Sequence, residues 1–245
     1  MTIAGSSRNA PPRSALGLRL GGLTPLSTTD YPGALSAVLF CQGCPWRCGY
    51  CHNSHLIAPD APSEWTWVET LAFLRRRRGL LDAVVFSGGE ATLQAGLKAA
   101  MSEVKAMGFK IGLHTAGSYP KRLAALLPLI DWVGLDVKAP FERYDAVSGV
   151  PGSGAKAKAS LRLIVESGVD HECRTTVHPG LITERQLVAL SKALFSMGAR
   201  RHVLQAFRAA GCRDESLNAS ADAVSLSRLL AAAAAASPRV ELRGV

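Results

Sequence analysis

Hydrophobic positions along the chain follow two alternating rhythms. Short apolar or β-branched runs, Ala37 to Cys41, Ala83 to Ser87, Lys110 to His114, Trp132 to Lys138, Glu172 to His178 and His202 to Phe207, read as strands. Each precedes a stretch with apolar residues three and four apart: Glu64 to Arg78, Leu93 to Met107, Pro120 to Leu127, Ala155 to Ser167, Thr183 to Ser196 and Ala219 to Ala236. Six βα units imply parallel pairing through right-handed crossovers, in an open doubly wound sheet or in a barrel two units short of closure. Either way, functional groups are expected at the carboxyl ends of the strands. The Gly/Ser/Pro-rich stretch Ser148 to Gly154 is expected to be a loop within the domain, because the βα rhythm resumes after it.

At 245 residues and 48% hydrophobic, the chain is expected to form a single domain over residues 16–245, after a disordered leader at residues 1–15. The leader lacks the apolar core of a secretory signal, and the most apolar late stretch, Leu229 to Ala236, is too short to cross a bilayer. These features predict a soluble, cytoplasmic protein without membrane contact. The net charge of +9 would suit a nucleic-acid binder, but aromatic residues make up 6% and no basic stripe interleaves with them, so no nucleic-acid partner is expected. The block Arg75 to Arg78 precedes Gly79 and suits a solvated helix end. Six cysteines in a reducing compartment point to metal binding or redox chemistry before disulfides.

Four of those cysteines lie within eleven residues, in Cys41-Gln-Gly-Cys44-Pro-Trp-Arg-Cys48-Gly-Tyr50-Cys51, directly after the first strand. Thiols this dense can surround a soft metal centre. The spacing leaves two readings open: paired CxxC ligands closing a zinc site, or a three-thiol subset, Cys44, Cys48 and Cys51, holding an iron-sulfur cluster. Further candidates sit at later strand ends. Gly88-Gly89-Glu90 combines a permissive backbone with a carboxylate suited to an ammonium group. Asp136 and Lys138 are two apart, so on a strand they would share one face.

The Cys44-x3-Cys48-x2-Cys51 subset, with Tyr50 before its last cysteine, resembles the signature of the radical S-adenosylmethionine (SAM) superfamily. That resemblance implies a partial (β/α)6 TIM-like barrel and a four-iron four-sulfur (4Fe-4S) cluster held by three thiolates, its fourth iron left to the methionine end of SAM. One-electron cleavage then releases a 5'-deoxyadenosyl radical. Cys41 is left to packing. The resemblance assigns the SAM amino group to Gly88, Gly89 and Glu90, with Ala91 where the family usually has proline. It assigns the carboxylate and ribose to Asp136 and Lys138, with Arg174 a further candidate for the carboxylate and Gln205 a weaker one. Thr115 lies in His114-Thr115-Ala116-Gly117, where many glycyl-radical-enzyme activating proteins have Asp-Thr-Asn-Gly; an imidazole is a poor ligand for the hard cation an aspartate would hold.

Within that superfamily the chain is most similar to activating proteins of anaerobic ribonucleoside-triphosphate reductase, from Asp30-Tyr31-Pro32-Gly33 to Leu204-Gln205-Ala206-Phe207. This implies a glycyl radical enzyme as partner and a reduced flavodoxin-type electron donor. The alternatives are a radical SAM enzyme acting on a small metabolite, such as a 7-carboxy-7-deazaguanine synthase-like enzyme, and a non-enzymatic zinc-binding module.

Overall fold

Eight strands form one sheet in chain order: β1 (Leu20–Ser27), β2 (Ser36–Cys41), β3 (Ala83–Gly88), β4 (Lys110–Thr115), β5 (Trp132–Asp136), β6 (Asp170–Val177), β7 (His202–Ala206) and β8 (Val240–Arg243). The computed structural model describes residues 15–63, 65–212, 214–220, 223–235 and 237–243. The expected leader before Ala15, and the end residues Glu64 and Ala236 of two expected helices, lie outside them. Strands β2 to β8 are parallel, β1 runs antiparallel to β2, and β1 does not pair with β8. The six expected strands are thus the centre of an open barrel that carries one extra strand at each edge.

Both unexpected strands have weak local signals. In β1, Gly21, Gly22 and Pro25 interrupt the alternation, and proline is tolerated there because the outer edge needs no ladder donor. Gly21 has a packing role as well, since a Cβ would run into Gln42 and Leu56. Strand β8 is only four residues long and half charged.

The helices are α1 (Trp67–Arg75), α2 (Leu97–Ala106), α3 (Pro120–Leu126), α4 (Tyr144–Ser148), α5 (Ser153–Ser167), α6 (Glu184–Ser196), α7 (Glu215–Ser220) and α8 (Ala223–Ala235). Capping boxes start α1, through Thr66 and Glu69, and α6, through Thr183 and Gln186. Arg75 to Arg78 form an exposed helix end, with Arg77 over the Phe73 ring. The expected loop at 148–154 is instead a tight α4–α5 junction. There the Asp145 carboxylate accepts from the backbone of Gly152 (2.8 Å) and Ser153 (3.0 Å) and from the Ser153 hydroxyl (2.8 Å).

The period-two alternation of the strands separates two interiors. Ala37, Leu39, Cys41, Phe86, Leu113 and Leu135 face the helices in the main core. Val38, Ala83, Val85 and Trp132 face the lumen, where Tyr31 of the β1–β2 connection packs on Trp132 at 5.5 Å between ring centroids. No helix among the described residues is long and apolar enough to cross a membrane.

Under α6, His202 accepts or donates on both ring nitrogens, to Ser191 and Thr175 at 2.9 Å each. The Ser-His-Thr chain has no route to solvent, so it is structural. Burial lowers the His202 pKa to about 4, and the imidazole stays neutral in the fold while the unfolded chain would protonate it near pH 6.5. Proton uptake then favours the unfolded state, so stability should fall as pH drops from about 6.5 towards about 4. Unfolding midpoints measured across that range should decline less steeply in a His202→Gln variant.

Candidate active site

The connection after β2 folds back on itself before it reaches the helices. Gly43 donates to the Leu56 carbonyl (2.7 Å) and Cys44 to that of Ile57 (3.1 Å), while the Gln42 amide donates to the Ala58 carbonyl (2.7 Å). Gly43 takes a positive φ of 93°, and a Cβ there would lie 2.7 Å from the Leu93 side chain. The result is a closed loop whose Cys44, Cys48 and Cys51 all line one cavity at the carboxyl ends of the strands. Cys41, the last residue of β2, is in phase with Ala37 and Leu39: its side chain is fully buried in the helix-side core and is not among the residues that line that cavity. Burial pushes the Cys44 thiol up to about 12 and raises that of Cys48, so metal binding there displaces protons.

The donor set fits a cluster: three soft thiols, Cys44, Cys48 and Cys51, line one cavity wall, and the fourth nearby thiol that would complete a four-thiolate zinc shell, Cys41, is not among the lining residues.

Gly88 and Gly89 also line the cavity, but the loop itself explains both glycines. A Cβ on Gly88 would strike the backbone of Cys41, and one on Gly89 would strike the Gly43 carbonyl. Gly89 donates to the Cys41 carbonyl (3.0 Å) and Glu90 to that of Gly43 (2.9 Å), which fastens the end of β3 to the start of the cysteine loop.

Glu90 is placed differently from the expectation that it faces an ammonium group. Its side chain is 1% exposed and lies behind the cavity wall. One carboxylate oxygen accepts from the Thr92 amide (3.1 Å), the Thr92 hydroxyl (2.6 Å) and the Thr115 hydroxyl (2.7 Å). The other accepts from the Ala116 amide (3.0 Å) and the Ser118 hydroxyl (3.3 Å). Glu90 therefore gathers the ends of β3 and β4, and through Thr115 it shapes the wall that Thr115 and Ala116 present to the cavity.

Strand β5 ends at Asp136, so Lys138 projects from the following turn rather than from the strand. Both still line the cavity, with Lys138 Nζ 3.7 Å from Asp136 Oδ2 and 5.7 Å from the centroid of the Tyr50 ring. Arg174, the direct cross-strand neighbour of Asp136 on β6, does not reach the lining: its Nε (2.9 Å) and terminal nitrogen (2.8 Å) both bond Asp136 Oδ1. The guanidinium occupies the space over Gly134, where a Cβ would approach its carbon to 2.9 Å. Burial would raise the Asp136 pKa, but Arg174 and Lys138 outweigh it and hold the carboxyl below the ordinary range.

His114 lines the same cavity. Its Nε2 lies 2.8 Å from the Asp30 carbonyl, which assigns the proton to Nε2 and leaves Nδ1 to accept from Ser87 (3.3 Å). Burial, then Arg174, lower its pKa to about 3, so it is a neutral hydrogen-bonding group at pH 7. Gln205 lines a second, adjoining cavity of about 310 Å³ that shares His52 and Thr176 with the first and includes Thr29 from the β1–β2 connection and Arg243 from the edge strand β8.

Three functional neighbours had little signal in the sequence. Tyr144 bonds both ends of the Asp136–Lys138 turn from α4. Glu172, fully buried on β6, forms a two-pronged pair with Arg243 (2.6 and 2.9 Å), and within the polar strand Asp170–Val177 nothing in the sequence marked it as buried. His52 Nε2 is buried without a hydrogen-bond partner at the junction of the two cavities.

Known proteins are similar to this chain in sequence and in fold. A protein of Methanocaldococcus jannaschii whose name assigns it to the glycyl-radical enzyme activating enzymes is 31% identical over 198 residues, covering 71% of this chain and 75% of its own. A pyruvate formate-lyase-activating enzyme of Clostridium pasteurianum is 29% identical over 69% of this chain and 72% of its own. A 7-carboxy-7-deazaguanine synthase of Thermococcus kodakarensis is 28% identical over 51% and 57%. In fold, the chain superposes on SAM-bound SuiB of Streptococcus suis with a TM-score of 0.61 at 14% identity, covering 82% of this chain and about half (48%) of that one. Residues 38–192, which carry the cysteine loop, the Gly88–Glu90 segment, the Asp136–Lys138 turn and Arg174, match the Radical SAM superfamily. The chain thus belongs to the radical SAM enzymes, whose cofactors are a 4Fe-4S cluster and SAM.

Proposed function

We propose that this enzyme reductively cleaves SAM and generates a glycyl radical on a larger partner, an anaerobic ribonucleoside-triphosphate reductase, with a reduced flavodoxin-type protein as electron donor in the cytoplasm. In this reading Cys44, Cys48 and Cys51 hold the cluster, and the fourth iron is left for the methionine end of SAM. The bound pair supplies an electron and a carbon-centred radical able to abstract hydrogen. The chain's own residues bind and orient. Gly88 and Gly89 offer main-chain groups to the ammonium, Lys138 attracts the carboxylate, Asp136 accepts from a ribose hydroxyl, and Tyr50 closes the wall beside Cys51. Glu90 and Arg174 act one step back, by holding Thr115 and Asp136.

The observation that carries the glycyl-radical reading is the similarity to two activating enzymes over about 70% of the chain (71% and 69%), while the choice of the reductase as partner rests on the resemblance read from the sequence. The unclosed barrel supports the glycyl-radical reading, because the seam cavity, lined by Thr29 of the β1–β2 connection and by Gln205 and Arg243 of β7 and β8, adjoins the cysteine-lined one and would suit a loop of a partner. A second reading, a small metabolite in the seam cavity, draws on the similarity to the deazaguanine synthase. Anaerobic mixing with the reductase, SAM and reductant, followed by electron paramagnetic resonance, should yield a glycyl doublet. SAM cleavage without that doublet would favour the small metabolite.

A further inference from the structure

Tyr144 is fully buried at the start of α4, and its hydroxyl has two partners on one short turn. It donates to the Asp136 carbonyl (3.1 Å) and accepts from the Lys138 amide (3.1 Å), bridging the residues on either side of Val137. Strand β5 has ended at this point, and although Val137 is still tied to β6, its amide donating to the Arg174 carbonyl (2.8 Å) and its carbonyl accepting from the Thr175 hydroxyl (2.6 Å), the Lys138 amide is held by Tyr144. The same ring touches the metal-binding loop: Trp46, between Cys44 and Cys48, packs edge-on to Tyr144 with centroids 5.5 Å apart. Helix α4 holds that loop a second time, since the Arg47 amide donates to the Ser148 carbonyl (2.8 Å). The helix is in turn locked to α5 through Asp145 and Ser153, and Gly154 lets α5 come close to it, since a Cβ there would lie 2.9 Å from the Cβ of Tyr144 and would run into the Phe141 carbonyl.

We infer that Tyr144 is a positioning residue that ties the cysteine loop to the Asp136–Lys138 turn, so that the two halves of the SAM site are presented in one fixed geometry. The inference rests on the reading that Lys138 and Asp136 contact SAM. Side chains that must meet one ligand from two loops lose affinity when either loop wanders, and one buried hydroxyl bonded to both ends of a turn removes that freedom. Tyr144 touches neither metal nor ligand in this scheme; it acts through Lys138 and Asp136.

The test is a double-mutant cycle on the anaerobically reconstituted enzyme, read by equilibrium SAM binding, iron content and the change in the reduced-cluster electron paramagnetic resonance signal on adding SAM. Tyr144→Phe keeps the ring against Trp46 and removes only the hydroxyl. It should load iron normally yet bind SAM about tenfold more weakly, the scale of one lost hydrogen bond. Lys138→Met should also weaken binding, and the double variant should be weakened by less than the product of the two single effects, because part of the Tyr144 effect passes through Lys138. Wild-type affinity in Tyr144→Phe, failure of Tyr144→Phe to load iron, or a double variant weakened by the full product of the two single effects would each overturn the inference. Wild-type affinity in Lys138→Met would instead overturn the ligand reading beneath it.

Discussion

Replacing any one of Cys44, Cys48 or Cys51 by alanine is expected to lower reductive formation of 5'-deoxyadenosine by at least on the order of a hundredfold, whereas Cys41→Ala should keep it. The division follows from the phase of β2. Cys41 is the last residue of the strand and points, with Ala37 and Leu39, into the helix-side core. The other three lie on the loop that follows and line the cavity. In the proposed reading, losing a cavity thiol removes one of three iron ligands, so iron content should drop with activity. Losing the Cys41 thiol removes a small apolar group from a packed interior, which costs about 1 kcal/mol of stability and leaves iron unchanged. Anaerobic iron analysis beside chromatographic product assay checks both halves. Iron loss in Cys41→Ala equal to that in the other three would place Cys41 among the ligands.

The second large effect is on stability. Glu90→Ala should lower the unfolding free energy by about 3–5 kcal/mol, because it strands a set of buried donors rather than one contact. Thr92, Thr115, Ala116 and Ser118 all donate to this one carboxylate, and none of them is more than 7% exposed. Two of the donors are backbone amides, which cannot turn away to find another acceptor. Glu90→Gln should fall between the two, since its amide oxygen can still accept while its NH2 group faces the donors that the second oxygen served. Denaturant unfolding of the three proteins measures this directly. SAM binding should weaken in Glu90→Ala as a consequence of the displaced Thr115–Ala116 wall. Wild-type stability combined with weakened SAM binding would instead put the carboxylate on the ligand.

The two glycines beside Glu90 illustrate how a motif can hold a reason that its residues do not display. Gly88-Gly89 reads naturally as backbone cleared for a ligand. In the fold, the space a Cβ would need is already taken by Cys41 and Gly43, so the glycines first allow the β3 end and the cysteine loop to touch. Any ligand contact is made by a wall whose position that packing has set.

Much of the architecture was legible in local pattern. Strands β2 to β7 coincide with the apolar runs to within a residue or two at most ends, because alternation over five or six residues records which side chains face lumen and helices. The exceptions have local causes. Strands β1 and β8 are edges, so one is broken by glycine and proline and the other is short and charged. Helix α4, five residues long, lies in a stretch whose glycines and serines resemble a loop.

The sequence by itself determined the βα order, the place of Cys41 at the end of the first expected strand, and the close spacing that lets Cys44, Cys48 and Cys51 share a cavity. These are relations between residues a few positions apart, and strand periodicity or loop length carries them. Only the tertiary structure decided which partners the charged groups take. Arg174 meets Asp136 because β5 and β6 pair in that register, across 38 positions of chain. Glu90 turns to Thr115 and Ser118, 25 and 28 positions away, because the β4 end closes over it. Tyr144 joins the Asp136–Lys138 turn to the loop of Trp46 because α4 is packed between them. Side-chain direction at a strand end follows from what is packed against it, and no spacing within one segment encodes that.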